Sequence, residues 1–455
     1  MGKSQAYHPD PAILALGEGF FDSVEAADFP AHQVRFFNRH WAERVGLADV
    51  DVAAHFGRFE PLADNLQRPL ALRYHGHQFR HYNPDIGDGR GFLFAQLRDD
   101  AGRLLDLGTK GSGQTPYSRF GDGRLTLKGG VREVLATEML EALGVNTSKS
   151  FVLVETGEEL TRNDEPSPTR SAVLTRLSHG HIRIGTFQRL AFVEDLAGIE
   201  TLASYCLRQL YGEDSDDPLR LFALVAERTA QLAASYLAAG FVHGVLNSDN
   251  INITGESFDY GPWRFAPTWD EEFVAAYFDQ SGLYAFGRQP EAFHWDLAQL
   301  GGCLALVADG VGISETLARW PAMFEQSLVE ALLARLGVVA GDGAADRALA
   351  SALLKALRSQ QVSIDRLFFD WHGGRTPDGY GGEAYVALRS QVADRTPLPD
   401  ALAHDYWRDS GPCSMHIEEV EAIWAAIADG DDWAPFDAKI AAIRRFGDAM
   451  SPSCA

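Results

Sequence analysis

The stretch HGVLNSDNINITGESFDYG, residues 243–261, sets Asn247, Asp249, Asn250, Asn252 and Asp259 among apolar residues. Hard divalent cations such as Mg²⁺ take oxygen ligands, commonly one or two carboxylates or amides completed by the phosphates of a substrate. Asn250 and Asp259, nine residues apart across an expected hairpin, suit that role. Asp249 is then the neighbouring free carboxylate, placed to accept a proton or orient a nucleophile. For each of these residues taken alone, the competing reading is a turn in which Asn and Asp bond to their own backbone.

Three further segments point to a phosphate ligand. Lys110 ends an apolar run in DLGTKGSGQT, and Glu133 follows twenty-three residues later in a helical segment. A strand lysine fixed by a helix glutamate and aimed at phosphates is the arrangement of protein kinases. Two glycine-rich turns flank the lysine, IGDGRG at 86–91 and FGDGR at 120–124. Glycine lets backbone amides approach an anion, and an arginine such as Arg90 adds a planar fork for phosphate oxygens. Arg176 and Arg183 share the segment TRLSHGHIR. On a surface they would be solvated charges, but beside the other elements they read as a cationic pocket.

That pocket has to be local, because the chain as a whole is acidic. Its 455 residues carry 40 Lys plus Arg against 63 Asp plus Glu, a formal charge of -23 that repels nucleic acid and anionic membrane. Cys206, Cys303, Cys413 and Cys454 form no C-x-x-C pair, which argues against a disulfide framework and a zinc ribbon and for a reducing compartment. The first twenty residues lack the apolar core of a signal peptide, and no later run approaches the roughly 18 apolar residues of a membrane span. A soluble cytoplasmic protein with no nucleic-acid or membrane partner is expected.

The elements that must position these residues divide the chain. Breaks rich in Pro, Gly and acidic residues fall at 161–171, 212–218, 338–346 and 373–382, and the first is the expected lobe boundary. Before it, short apolar runs at 92–97 and 104–107 alternate with glycine turns and predict strands. A helix is predicted over 131–143, stopped by Gly144, and a longer one over 219–239, stopped by Gly240. Helical character continues from 296 onward. The expectation is an α+β protein with a small mixed lobe, 1–160, followed by a larger helical lobe, 161–455.

Together, DLGTKGSGQTPYSRFGDGRLTLKGGVREVLATEML, TRLSHGHIRIGTFQ and HGVLNSDNINITGESFDYGPWRF resemble the selenoprotein O family, kinase-like proteins of bacteria and mitochondria. The likeness is most specific from 74 to 265 and weaker over most of the rest. It implies a bilobal protein-kinase fold that binds ATP in a flipped orientation and transfers AMP to Ser, Thr or Tyr hydroxyls of proteins. By position in the motifs, it assigns nucleotide contacts to Gly87, Gly89, Arg90, Lys110, Asp122, Gly123, Arg176, Arg183 and Asp259. It also implies that Glu133 pairs with Lys110, Asp249 accepts the proton, and Asn250 with Asp259 holds Mg²⁺ or Mn²⁺. The rival functions are a phosphoryl-transferring kinase-like enzyme and a nucleotide-binding pseudokinase scaffold.

Certain positions depart from these patterns. Val245 stands where an ordinary kinase has its His-Arg-Asp aspartate, a departure shared with the family, so Asp249 is the substitute base. RHYNPDI at 80–86 replaces a glutamine- and tryptophan-containing stretch, and SGPCSMH at 410–416 replaces an expected Asn-, Pro- and Arg-containing motif. Cys454 resembles a terminal cysteine or selenocysteine that pairs with a cysteine after Asp-Tyr-Gly. Here that stretch, 273–277, reads FVAAY, so no such disulfide is expected. The pairs His75/His77 and His179/His181 lack a third ligand nearby and are expected to make structural hydrogen bonds. Trp263, Phe265, Trp269 and Phe273 are expected to be packing residues.

Overall fold

The computed structural model describes residues 6–163 and 165–451. Eight strands form one antiparallel sheet. Its order is Phe21–Ser23, Leu70–Leu72, Leu93–Arg98, Leu104–Lys110, Thr169–Ser178, Lys149–Leu160 and Gln33–Phe37, with Leu125–Thr126 paired beside Thr169–Ser178. The central strands are buried along nearly their whole length because both faces are covered. Side chains alternate between the faces with the period of a strand. Leu104, Leu153 and Leu174 meet the helix Leu127–Ala142, whereas Leu105, Val152 and Val173 meet Trp41 and Phe56.

This register positions the site. Leu174 lies opposite Lys110, and Arg176, two residues further along, falls on the same face as a diagonal neighbour of the lysine. Both therefore point toward the helix that carries Glu133. The helix begins at Leu127, four residues before the expected start, with the Thr126 side chain accepting from the Gly129 N–H. Gly130, in the first turn, has a packing reason: a Cβ there would lie 2.5 Å from Leu153, so glycine lets the helix close onto the sheet.

The boundary expected at 160/161 falls at the end of a paired strand. Lys149–Leu160 and Thr169–Ser178 pair with each other, starting at Thr169 opposite Leu160, so the acidic, proline-rich stretch is the turn of a hairpin within the sheet. Its composition marks an exposed turn, and the chain leaves the sheet only after Ser178.

The predicted 219–239 helix is observed as Pro218–Ala239. Pro218 occupies its first turn, the Asp217 side chain caps the Leu219 N–H, and Gly240 ends it in the left-handed conformation. The helices Gln289–Leu304 and Gly310–Leu336 pack on it. Two C-terminal helices, Ile417–Gly430 and Ala434–Met450, return to Leu127–Ala142, where Arg444 donates to both oxygens of buried Glu138 at 2.8 and 3.0 Å. The architecture is α+β. Among the described residues, no helix is long and apolar enough to cross a membrane.

Candidate active site

A cavity of about 720 Å³ opens between the end of strand Leu104–Lys110, the two glycine turns and the 243–261 segment. Gly87, Gly89, Arg90, Lys110, Asp122, Gly123, Arg176, Arg183, Asp249 and Asp259 all line it. Glu133 and Asn250 are not part of this lining.

Lys110 is buried and bridges two carboxylates. Its Nζ donates to Glu133 Oε1 and, at 2.6 Å, to Asp259 Oδ1. Asp259 has φ +63°, a conformation Asp tolerates better than most residues, and Arg176 Nη1 lies 3.6 Å from the same oxygen. Burial alone would raise the Asp259 carboxyl. Lys110, Arg176 and Arg90 outweigh it and hold the group well below the usual carboxylate range.

Asp249 sits in a short 3-10 turn, Ser248–Asn250, and is 8% exposed. Burial pushes its carboxyl up to about 6, with Arg183 offsetting part of the rise. Arg183 is held between the rings of Tyr74 and Phe258, 4.1 and 4.9 Å from their centroids. Its Nη1 donates to the Asp249 carbonyl at 3.0 Å, and its Nη2 lies 3.5 Å from Asp88. Asp88, unassigned in the sequence reading, accepts from the Leu72 N–H at 3.0 Å, and burial raises its carboxyl despite Arg183. An acid between the two glycines of IGDGRG was the available signal.

Several buried polar atoms around this cavity make no hydrogen bond among the described residues: Arg176 Nε and Nη1, Arg183 Nε, Glu133 Oε2 and Asp249 Oδ1. Unspent guanidinium donors on a cavity wall are costly unless an anion meets them.

Other expectations change in detail. Asp122 accepts from both Arg162 Nη atoms at 2.7 and 3.1 Å, and Arg162 and Arg124 together lower its carboxyl against the opposing effect of burial. Arg162 lines the cavity too, but as part of the turn read as a boundary it gave no functional signal. Gly87 is required by packing as much as by any anion, since a Cβ there would lie 2.5 Å from the Tyr117 ring.

The hairpin expected between Asn250 and Asp259 is also corrected. Its arms pair with other parts of the chain, Asn252 with Arg183 and Ser257 with Thr147. Asn252 spends its side chain on the Gly180 carbonyl and the Thr254 N–H, and Asn247 accepts from the Phe79 N–H and the Tyr284 hydroxyl. For these two asparagines the structural reading holds. The four histidines are engaged as well. His75, His77 and His181 bond through their rings to Tyr82, Gln188 and Asp106, and His179 through its backbone N–H to Glu256. Trp263, Phe265 and Trp269 are buried, and Phe273 packs against the cluster that holds Trp269. Cys454 lies outside the described residues; Cys206, Cys303 and Cys413 are free thiols.

The chain matches the family described as protein adenylyltransferase SelO over residues 4–395. It is 42% identical to a protein nucleotidyltransferase YdiU of Synechocystis sp., covering 94% of this chain and 96% of that one. It is 40% identical to the Synechococcus elongatus protein of that name, over 97% and 96%, and 36% identical to that of Cereibacter sphaeroides, over 94% and 91%. The chain belongs to the protein adenylyltransferase SelO family, and so to the nucleotidyltransferases.

A divalent cation would find its oxygen donors here in the Asn250 amide and the Asp259 carboxylate. Among the described residues, no group of three or more His, Cys, Asp or Glu is arranged to hold one. The candidate ligands are one amide and one carboxylate, a set that phosphate oxygens and water complete. Asn250 Nδ2 donates to the Val245 carbonyl at 2.9 Å, which fixes the amide and leaves its oxygen as the free end.

Proposed function

We propose that this chain transfers AMP from ATP to Ser, Thr or Tyr hydroxyls of proteins and releases pyrophosphate. The observation that carries the reading is the convergence of Lys110, Arg176 and Arg183, with buried donors unspent, on a cavity that also holds the buried carboxyl of Asp249. Lys110, Arg90, Arg176 and Arg183 neutralise the triphosphate, while Glu133 holds Lys110 in place. Asn250 and Asp259 would hold Mg²⁺ or Mn²⁺, which when bound stabilises charge developing on the phosphate oxygens. The target hydroxyl attacks the α-phosphorus, the bond to the β-phosphate oxygen breaks, and Asp249 takes the hydroxyl proton. A base buried enough to titrate near 6 is charged at neutral pH yet basic enough to accept that proton.

The same reading takes the sheet-bearing part, through Ser178, as the small lobe of a kinase-like bilobal fold and the helical remainder as the large one. Continuous strand pairing across 160/161 supports moving the division from 160 to 178. An ATP-consuming reaction suits the cytoplasm, and the net charge of -23 suits protein rather than nucleic-acid partners.

The test is incubation with Mg²⁺ or Mn²⁺ and ATP labelled separately at the α and γ phosphates, alongside Asp249→Ala. Label from α on the protein or a generic acceptor, lowered by orders of magnitude in the variant, is expected. Label from γ alone would make the protein a phosphoryl transferase. No label from either, with nucleotide still bound, would favour the scaffold.

A further inference from the structure

The short hairpin Gly76–Gln78 and His81–Asn83 belongs to no part of the main sheet, yet it sits directly on the turn that carries Asp249. Its backbone is tied down twice: His77 N–H donates to Ser248 Oγ at 2.8 Å, and Phe79 N–H to Asn247 Oδ1 at 2.9 Å. Ser248 in turn donates to Gln188 Oε1 at 2.5 Å, and Gln188 Nε2 meets His77 Nδ1 at 2.6 Å, closing a ring between hairpin, turn and helix Ile184–Phe192. The approach is close enough that a Cβ at Gly76 would lie 3.0 Å from the Cβ of Asp249.

Within this hairpin Gly76 pairs with Asn83, so Gln78 and Asn83 are diagonal neighbours on one face. Asn83 Nδ2 donates to Gln78 Oε1 at 3.0 Å. That bond decides which end of the Gln78 amide is free: its oxygen is occupied, and its Nε2 is offered elsewhere. Gln78 lines the cavity together with Asp249 and, after burial and Arg183, is among the neighbours that act on the Asp249 carboxyl, lowering it as a hydrogen-bond donor does. Among the described residues Asp249 Oδ1 has no partner, which leaves that oxygen open for a substrate hydroxyl.

We infer that Gln78 is a positioning residue for the reaction, orienting the Asp249 carboxylate through an amide whose direction is set by Asn83. This rests on Asp249 being the base. Asn83 belongs to RHYNPDI, the stretch at 80–86 that leads into the first glycine turn.

The test is steady-state AMP transfer to a generic protein acceptor by full-length Gln78→Met, Asn83→Ala, Asn83→Asp, Asp249→Asn and Gln78→Met/Asp249→Asn, with Tm and ATP affinity measured for each. Gln78→Met keeps the volume and drops the amide, so kcat should fall by about tenfold or more with the KM for ATP unchanged. Asn83→Asp removes the donor and presents an acceptor, which turns the Gln78 amide so that its oxygen faces Asp249. It should therefore be slower than Asn83→Ala, an order that a merely structural role, tracking Tm, does not produce. The double variant should be no slower than Asp249→Asn alone, because Gln78 acts only through that carboxylate. Wild-type kcat in Gln78→Met, a rise in KM instead of a fall in kcat, or additive losses in the double variant would overturn the inference. Wild-type activity in Asp249→Asn would instead overturn the base itself.

Discussion

Lys110→Met isolates the electrostatic core of the site. Methionine keeps most of the lysine's aliphatic length and removes the charge. Glu133 is 1% exposed, its Oε1 accepts from Lys110 and its Oε2 has no partner, so the substitution strands a buried carboxylate. Asp259, the lysine's other partner, keeps Arg176 at 3.6 Å and a side chain 30% exposed, so it contributes less to the loss. Removing one member of a buried ion pair costs about 3–5 kcal/mol, whereas removing both charges with volume retained is close to neutral. Lys110→Met should therefore lose about 3–5 kcal/mol at pH 7 in urea unfolding, and Lys110→Met/Glu133→Gln should regain most of it. Both should be inactive in AMP transfer, because the cation is gone in each. A single variant within about 1 kcal/mol of wild type, or a double variant no more stable than the single, would refute the reasoning.

Two further outcomes are expected. Asp259→Asn retains a residue that tolerates φ +63° but removes the charge held low by Lys110, Arg176 and Arg90; metal-dependent transfer should vanish while the fold persists, as seen by activity and circular dichroism. Glu256 is buried, accepts from the His179 N–H at 2.8 Å, and is pushed by burial from 4.5 up to about 7. A carboxyl raised on folding contributes most below pH 4.5, and that stability is lost as pH rises through 7; the full swing is about 3 kcal/mol. Glu256→Gln keeps the acceptor and removes the titration, so it should raise Tm at pH 8 and leave it nearly unchanged near pH 4.5.

What could be read along the chain was whatever depends on local order. Lys110 at the end of an apolar run, the Pro218–Ala239 helix with its Asp217 and Gly240 caps, and the short oxygen-bearing side chains of 243–261 are all consequences of residue type and spacing. Local chemistry also misled. The 161–171 stretch has the composition of a linker, but an exposed hairpin turn needs the same residues, and only the pairing of Leu160 with Thr169 separates the two. Asn247, Asp249, Asn250 and Asn252 look alike in sequence. Tertiary contacts make Asn247 and Asn252 structural clamps, bury Asp249 with one oxygen unpartnered, and fix the Asn250 amide by the Val245 carbonyl.

The residue types and their order thus determined the family and the inventory of charges. Which of those charges meet was decided by the register that sets Arg176 diagonal to Lys110, by the docking of helix Leu127–Ala142 that brings Glu133 to the lysine, and by the Gly76–Asn83 hairpin seated on Asp249. These contacts join residues between 23 and 173 positions apart, and such pairings follow from how whole elements pack rather than from any local preference.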